Sequence, residues 1–385
     1  MSFNFDEIIP RRGTDCEKWD EYPGDVLPLW VADMDFRAPP AVIEALRARV
    51  EHGIFGYGRE PAGLREIITA RLKRLYGWSV APEALVFVPG VVRGIHMACR
   101  GVVSPGEAVM YQVPVYPPIH QAPAQNGLMG VANSLVPDAG GYYTMDFDAI
   151  EAQICQYPVR MFILCNPHNP VGRVFRRPEL ERLAEICLRH DVIICSDEIH
   201  CDLVYRGHPH IPIAALSPEV EARTITLMAP SKTYNIAGLE CSVAIVPDPE
   251  LRGRFLAGRC NLVPSVNVMG FAAAQAAYAH GDEWLSALLL YLEANRDYLC
   301  AYADAYLPGI RIYPPEGTFL AWLDCREAGL PADPYTFFLE RARVALNPGP
   351  SFGAGGEGFV RLNFGCPRAI LAEALERMRA ALAKL

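Results

Sequence analysis

Long apolar runs are missing from this 385-residue chain. No stretch of 18 or more uninterrupted apolar residues occurs, although 51% of the residues are apolar, so a membrane-spanning helix is not expected. Runs of lysine and arginine are missing too. The 35 basic side chains are outnumbered by 44 acidic ones, for a net charge of −9. Binding to a nucleic-acid backbone needs a concentrated positive face, so nucleic acid is disfavoured as a partner. Cysteine is sparse for a disulfide-built scaffold: 12 residues, scattered, with no C-x-x-C, several of them inside apolar runs (Cys165, Cys187, Cys195). Reduced thiols in a cytoplasmic protein are the expectation. The N-terminal MSFNFDEIIPRRGTD places acid before base and has no apolar core, so no secretory signal is expected.

Without repeats or low-complexity linkers, what remains is a globular pattern. The length predicts two domains, or one large α/β domain with an appendage. The 33 prolines and 31 glycines are spread along the chain, as short loops between regular elements require. Apolar runs of strand length recur at Leu85–Val88, Ala108–Gln112, Met161–Cys165, Val192–Ser196, Thr224–Ala229 and Ser242–Val246. Helical patterns lie between several of them. In Pro178–His190, Leu180, Leu183, Ala184, Cys187 and Leu188 follow i, i+3, i+4, i+7, i+8, and Pro178 suits a first turn. Strands apolar on both faces that alternate with amphipathic helices predict a mostly parallel, helix-covered sheet. From Trp284 the texture changes to a long helix (Trp284–Tyr306), short strands (Ile310–Tyr313, Thr318–Leu323) and a last helix (Arg368–Lys384). The expected division is an N-terminal arm with part of a small domain (1–45), a large α/β domain (46–283) and a small α+β domain (284–385).

Ligands of such sheets collect at the carboxyl ends of the strands. The residues that follow the runs are Pro89-Gly90-Val91-Val92, Pro114-Val115-Tyr116-Pro117, Asn166-Pro167-His168-Asn169, Asp197-Glu198-Ile199-His200 and Pro230-Ser231-Lys232-Thr233. Each type has a use in one chemistry. A lysine of lowered pKa forms an imine, and a buried aspartate keeps a heteroaromatic nitrogen protonated. A helix opening after Gly90 takes a phosphate on its free N–H groups. Tyr116 can stack on a flat ring, and Asn169 can donate to a phenolate oxygen. These are the needs of pyridoxal 5′-phosphate (PLP). Two competing readings are weaker. Cys195, His200 and Cys201 do not make a zinc site, because neighbours at a strand end point opposite ways and no fourth ligand is suitably spaced. His208-Pro209-His210 reads as a solvated loop, and Gly353–Gly358, with no Lys-Ser/Thr behind it, as a turn leading to Arg361.

The same segments carry a resemblance. VADMDFRAP (31–39), HGIFGYG (52–58), PGVV (89–92), PVYPP (114–118), CNPHNPVGR (165–173), SDEIHCDL (196–203), APSKTYNIAGL (229–239) and GGEGFVRLNFGCPR (355–368) occur in this order. They resemble the fold type I PLP enzymes of the aminotransferase class I/II group, and more narrowly its cystathionine β-lyase (carbon–sulfur lyase) subgroup. The resemblance implies that Lys232 bears the PLP and acts as general base, that Asp197 pairs with the ring nitrogen, that Asn169 contacts the 3′-oxygen and that Tyr116 stacks on the ring. Gly90 with the N–H groups of Val91 and Val92, together with Ser231, would hold the phosphate. Tyr57 would reach the phosphate of a neighbouring subunit, which implies a homodimer with shared sites. Arg361 would clamp the carboxylate of an amino-acid substrate, a task for its two-pronged fork. Two departures from the broad aminotransferase pattern point to the lyases: His200 stands in the cofactor site where a tyrosine is usual, and Glu240 stands where an arginine usually meets the phosphate. The second leaves the phosphate's countercharge open, with Arg93 a candidate. The implied reaction is cleavage of L-cystathionine or a related cysteine S-conjugate to a thiol, pyruvate and ammonia. The alternatives are an aminotransferase of the same group, or a PLP-fold protein that also binds a regulatory partner.

Overall fold

A computed structural model describes residues 3–385. Seven strands form the large sheet: β1 (Leu85–Val88), β2 (Ala108–Val113), β3 (Met129–Ser134), β4 (Val159–Cys165), β5 (Ile193–Asp197), β6 (Thr224–Met228) and β7 (Ser242–Ile245), in the order β1-β7-β6-β5-β4-β2-β3. The neighbours β3-β2, β2-β4, β4-β5 and β5-β6 run parallel, and β7 lies antiparallel between β6 and β1. Every residue of β5 and β6 is buried. Strands apolar on both faces stay folded only with helices on both sides of the sheet. The carboxyl ends of β1, β2, β4, β5 and β6 therefore share one edge.

The helices used below are α1 (Pro40–His52), α2 (Leu64–Tyr76), α3 (Val91–Val102), α4 (Pro117–Gln125), α5 (Arg177–Arg189), α6 (Val268–His280), α7 (Asp282–Tyr306) and α8 (Arg368–Leu382). In α5, Pro178 sits in the first turn, and the Glu179 carboxylate reaches back to accept from the Arg176 N–H at 2.8 Å. Both devices satisfy or remove donors that a helix start leaves unpaired. Among the described residues, no helix is long and apolar enough to cross a membrane.

The second sheet is antiparallel and follows α7: β8 (Arg311–Ile312), β9 (Leu320–Asp324), β10 (Asn347–Pro348) and β11 (Phe359–Asn363), ordered β8-β9-β11-β10. Its core draws on both ends of the chain, because Phe5, Leu29, Met34, Phe36 and Val42 pack in one cluster with side chains of α7, β9, β11 and α8. Leu27–Pro28 also pairs in parallel with Val344–Ala345. Position 45 falls inside α1, and position 284 falls in the first turn of α7. Strand β3 is absent from the apolar runs of the sequence for a visible reason: it is an edge strand in which buried Val131 and Asn133 alternate with exposed neighbours.

Candidate active site

The strand ends bring the expected residues together. Asp197 is the last residue of β5 rather than the first after it, and its register partners are Cys165 on β4 and Leu227 on β6. Lys232 sits in a single helical turn, Pro230–Thr233, immediately beyond β6. The backbone N–H of Tyr116 donates to the Asn169 carbonyl at 3.1 Å, which ties the ends of β2 and β4 to each other. Arg361 arrives from β11 of the second sheet, is buried, and donates through Nη1 to Asn169 Oδ1 at 3.1 Å. The second sheet thus closes over the edge of the first.

Burial works against charge at this edge. It pushes the Asp197 carboxyl up from 3.8 to about 7, Glu198 adds to the rise, and the Ile199 N–H at 3.1 Å and Lys232 oppose it. Burial draws the Lys232 amine down from 10.5 to about 8, helped by Arg361 and opposed by Asp33 and Asp197. The Arg361 guanidinium falls to about 10 by burial, and the His200 imidazole to about 3 by burial and by the Lys232 and Arg361 charges. An uncharged His200 cannot compete with Asp197 for a cationic partner. An acid near 7 and an amine near 8 can both exchange protons at neutral pH.

Several polar atoms are buried here without a partner, among them His200 Nδ1 and Arg361 Nε. Native interiors rarely leave such groups unpaired unless something else meets them. Gly90, with φ of 111°, turns the chain from β1 into α3, a conformation that a side chain would strain. No side chain caps the N-terminus of α3, so its first N–H groups remain available to an anion. Ser242 Oγ on β7 accepts from the Gly90 N–H at 3.1 Å and fixes this turn beside the β6 end that carries Ser231.

The structure does not bring every expected residue to this edge. Tyr57 lies in the loop between α1 and α2 and is fully exposed. Arg93 pairs with Glu240 at 2.9 Å, both about half exposed, so the residue in the usual arginine position is neutralised by the candidate countercharge. The solvated-loop expectation fails for His210. It is buried and bonded to Glu198 at 2.8 Å, whose other oxygen accepts from Ser196 Oγ at 2.8 Å. Among the described residues, no three His, Cys, Asp or Glu side chains are placed to hold a metal ion.

The sequence reading missed the role of the segment 30–36. Lys232 Nζ donates to the Ala32 carbonyl at 2.6 Å, and Arg361 Nη2 to the Trp30 carbonyl at 2.7 Å. Arg361 also bonds Asn347 on β10. The signal lay in the string VADMDFRAP, where two aspartates interrupt an otherwise apolar stretch; its partners, far along the chain, leave no local pattern.

With this geometry in place, comparison with known proteins is direct. The model of the aminotransferase class I and II family matches residues 24–378. The cystathionine β-lyase PatB of Bacillus subtilis (strain 168) is 42% identical over 386 residues, covering 98% of this chain and 100% of the relative. The crystal structure of OvoB superposes with a TM-score of 0.95 at 45% identity over 100% of both chains. Cystalysin from Treponema denticola, which contains a pyridoxal 5′-phosphate cofactor, gives 0.95 at 31% identity, again over 100% of both. Since the matched span takes in both sheets and the edge between them, the chain is a member of the aminotransferase class I and II family.

Proposed function

We propose that this chain is a PLP-dependent carbon–sulfur β-lyase acting on L-cystathionine or a related cysteine S-conjugate. The observation that carries the reading is the convergence of Lys232, Asp197, Asn169 and Arg361 at one sheet edge, in a chain 42% identical to a cystathionine β-lyase along its length. The residues fit the cofactor. Asp197 would offer its buried carboxyl to the ring nitrogen, the uncapped start of α3 at Gly90, Val91 and Val92, with Ser231, would take the phosphate, and Tyr116, which lies near Asp197 and Arg361, would stack on the ring face. When bound, PLP supplies a carbonyl that takes up amines and a ring that accepts an electron pair.

The chain's own groups do the rest. Arg361, oriented by Trp30, Asn169 and Asn347, binds the substrate α-carboxylate. Since Asn169 Oδ1 accepts from Arg361, its amide N–H₂ would be left free to donate to the cofactor's 3′-oxygen. Lys232 would hold the cofactor and, once freed, would take the Cα proton on Nζ; an amine with a pKa of about 8 is well matched to that task. Asp197 would keep the ring nitrogen protonated. With the Cα proton on Lys232, the Cβ–S bond would break, the thiolate leaving with its electron pair, and water would hydrolyse the remaining three-carbon fragment to pyruvate and ammonia. His200 stands in the site as a neutral imidazole.

Product analysis tests the reading. L-cystathionine is expected to yield pyruvate, ammonia and homocysteine without any 2-oxo acid. A strict requirement for 2-oxoglutarate or pyruvate as amino acceptor, with no free thiol, replaces it with transamination.

The working unit in this reading is a cytoplasmic homodimer with shared sites. Ile54, Phe55 and Tyr57 are exposed together in one loop, and a subunit contact would cover them. Light scattering should give about twice the 42.5 kDa chain mass, and Tyr57→Phe should weaken PLP retention by about 1 kcal/mol, the net worth of one hydrogen bond. A fully active monomer would refute it.

A further inference from the structure

The backbone from Trp30 to Phe36 is held in an unusual way. The carbonyls of Trp30, Val31, Ala32, Asp33, Met34 and Phe36 each accept from a side chain. The donors come from three places: Arg361 and Asn363 on β11, Lys232 and Asn235 beyond β6, and Lys18 and Arg11 in the N-terminal arm. This segment therefore joins the lysine side of the site to the arginine side. Its own side chains, Asp33 and Asp35, are gripped by the arm. Lys18, fully buried, lies 2.7 Å from Asp35 and 3.5 Å from Asp33; Arg11 lies 2.6 Å from Asp35 and 2.7 Å from Asp33. Trp19 Nε1 donates to Asp35 at 2.8 Å. Two cations and two carboxylates balance.

We propose that Arg11, Lys18, Asp33 and Asp35 form a positioning device, a neutral four-charge cluster that fixes the Trp30–Phe36 segment so that the Ala32 carbonyl docks the Lys232 amine and the Trp30 carbonyl docks the Arg361 guanidinium. The inference rests on the assignment of Lys232 as the reactive lysine. Backbone carbonyls with no strand partner need donors, and here those donors include the two cations of the site. Asp33 links the cluster to the chemistry, because its carboxylate favours the protonated form of Lys232 while Arg11 and Lys18 hold that carboxylate ionised. The charged and titratable groups that face Lys232 are Asp33 from the segment, Asp197 from β5, the His200 imidazole just beyond β5, and Arg361 from β11. Those that face Lys18 are Asp33, Asp35 and the Cys366 thiol. Loss of Asp33 removes a nearby opposite charge from Lys232, so the amine should release its proton at lower pH.

The test uses Asp33→Asn, Asp33→Glu and Lys18→Met in the full chain. Two titrations are read. One is the pH dependence of the holoenzyme's visible absorption. The other is the pH dependence of Lys232 labelling by an amine-reactive reagent in the cofactor-stripped protein, followed by peptide mass spectrometry. Asp33→Asn is expected to lower the labelling midpoint by about one unit and to raise KM more than it lowers kcat, because Arg361 loses its orientation as well. Asp33→Glu should restore most of both. Lys18→Met removes a cation that shares Asp33 while Arg11 still holds that carboxylate ionised, so the midpoint should not fall with it; if that variant does not fold, Asp33→Asn, at a side chain that is partly exposed, decides alone. An unchanged midpoint in folded Asp33→Asn, with only Tm lowered, overturns the proposal and leaves a purely structural cluster. Labelling needs no cofactor, so a shifted midpoint in a protein that binds no PLP overturns the proposed function and leaves this inference standing.

Discussion

Of the four lysines in this chain, Lys73 and Lys384 are exposed, whereas Lys18 and Lys232 lie in the protein on either side of the Trp30–Phe36 segment. Burial disfavours the charge of both, yet the outcomes are opposite. Lys18 is held protonated above the usual lysine range, because Asp35 and Asp33 outweigh the cost of its burial. Lys232 is brought down to about 8 by burial, because Arg361 adds to the cost, Asp33 is shared with Arg11 and Lys18, and Asp197 has itself been raised to about 7. The same contrast separates the carboxyls: Asp33 is held below its ordinary value by Arg11 and Lys18, and Asp197 rises to about 7. Pairing turns a buried charge into structure, and the lack of it turns one into a reagent.

The contrast can be broken from either side. Lys232→Ala should cut turnover most, by about 10²–10⁴-fold for loss of the general base alone, with Tm of the cofactor-free protein little changed, measured by steady-state assay and thermal melts. Lys18→Met should do the reverse in kind. It leaves Asp35 without its full complement of cations, and removing one partner of a buried pair costs about 3–5 kcal/mol of stability, read from denaturant midpoints. Arg361→Ala removes a buried, hydrogen-bonded cation whose partner would be the substrate carboxylate, so kcat/KM should fall by about 2–5 kcal/mol while PLP stays bound. An apoenzyme or unchanged kinetics would count against that role.

Asp197→Asn sharpens the comparison through pH. A carboxyl raised from 3.8 to about 7 in the folded chain leaves stability intact below its unfolded value. That stability is then lost as pH rises towards 7, because the unfolded chain releases the proton first. In the cofactor-free protein the substitution should therefore raise stability at pH 8 by at most about 4 kcal/mol and leave it unchanged near pH 3. Turnover should fall, since an amide cannot keep the ring nitrogen protonated. A cofactor-free variant no more stable at pH 8 than at pH 3, relative to the parent, would show that Asp197 is solvated or paired.

How much of this was legible in the sequence follows the same division. Buried strands are local patterns, so β1, β2, β5, β6 and β7 coincide with apolar runs to within a residue, while β4 starts two residues early because Arg160 interrupts its apolar run. The edge strand β3 shows no such run because only half of it is buried. Lys232, Asp197, Asn169 and Arg361 were visible because each ends a strand or follows a turn in a recognisable string. Arg11 and Lys18 were not, since they meet Asp33 and Asp35 some 15 to 24 positions away, and no periodicity marks a contact of that kind. His210 was misread for the same reason: a histidine between a proline and an isoleucine looks solvated until Glu198 is folded against it. The Arg93–Glu240 pair joins residues 147 positions apart and likewise left no trace.

The most direct measurement is to map where PLP attaches. The purified protein should be yellow; reduction with borohydride, digestion and peptide mass spectrometry should place the pyridoxyl group on Lys232, with Lys18 unmodified because its amine is charged and enclosed. Label on Lys18, or on any lysine other than Lys232, would contradict the account.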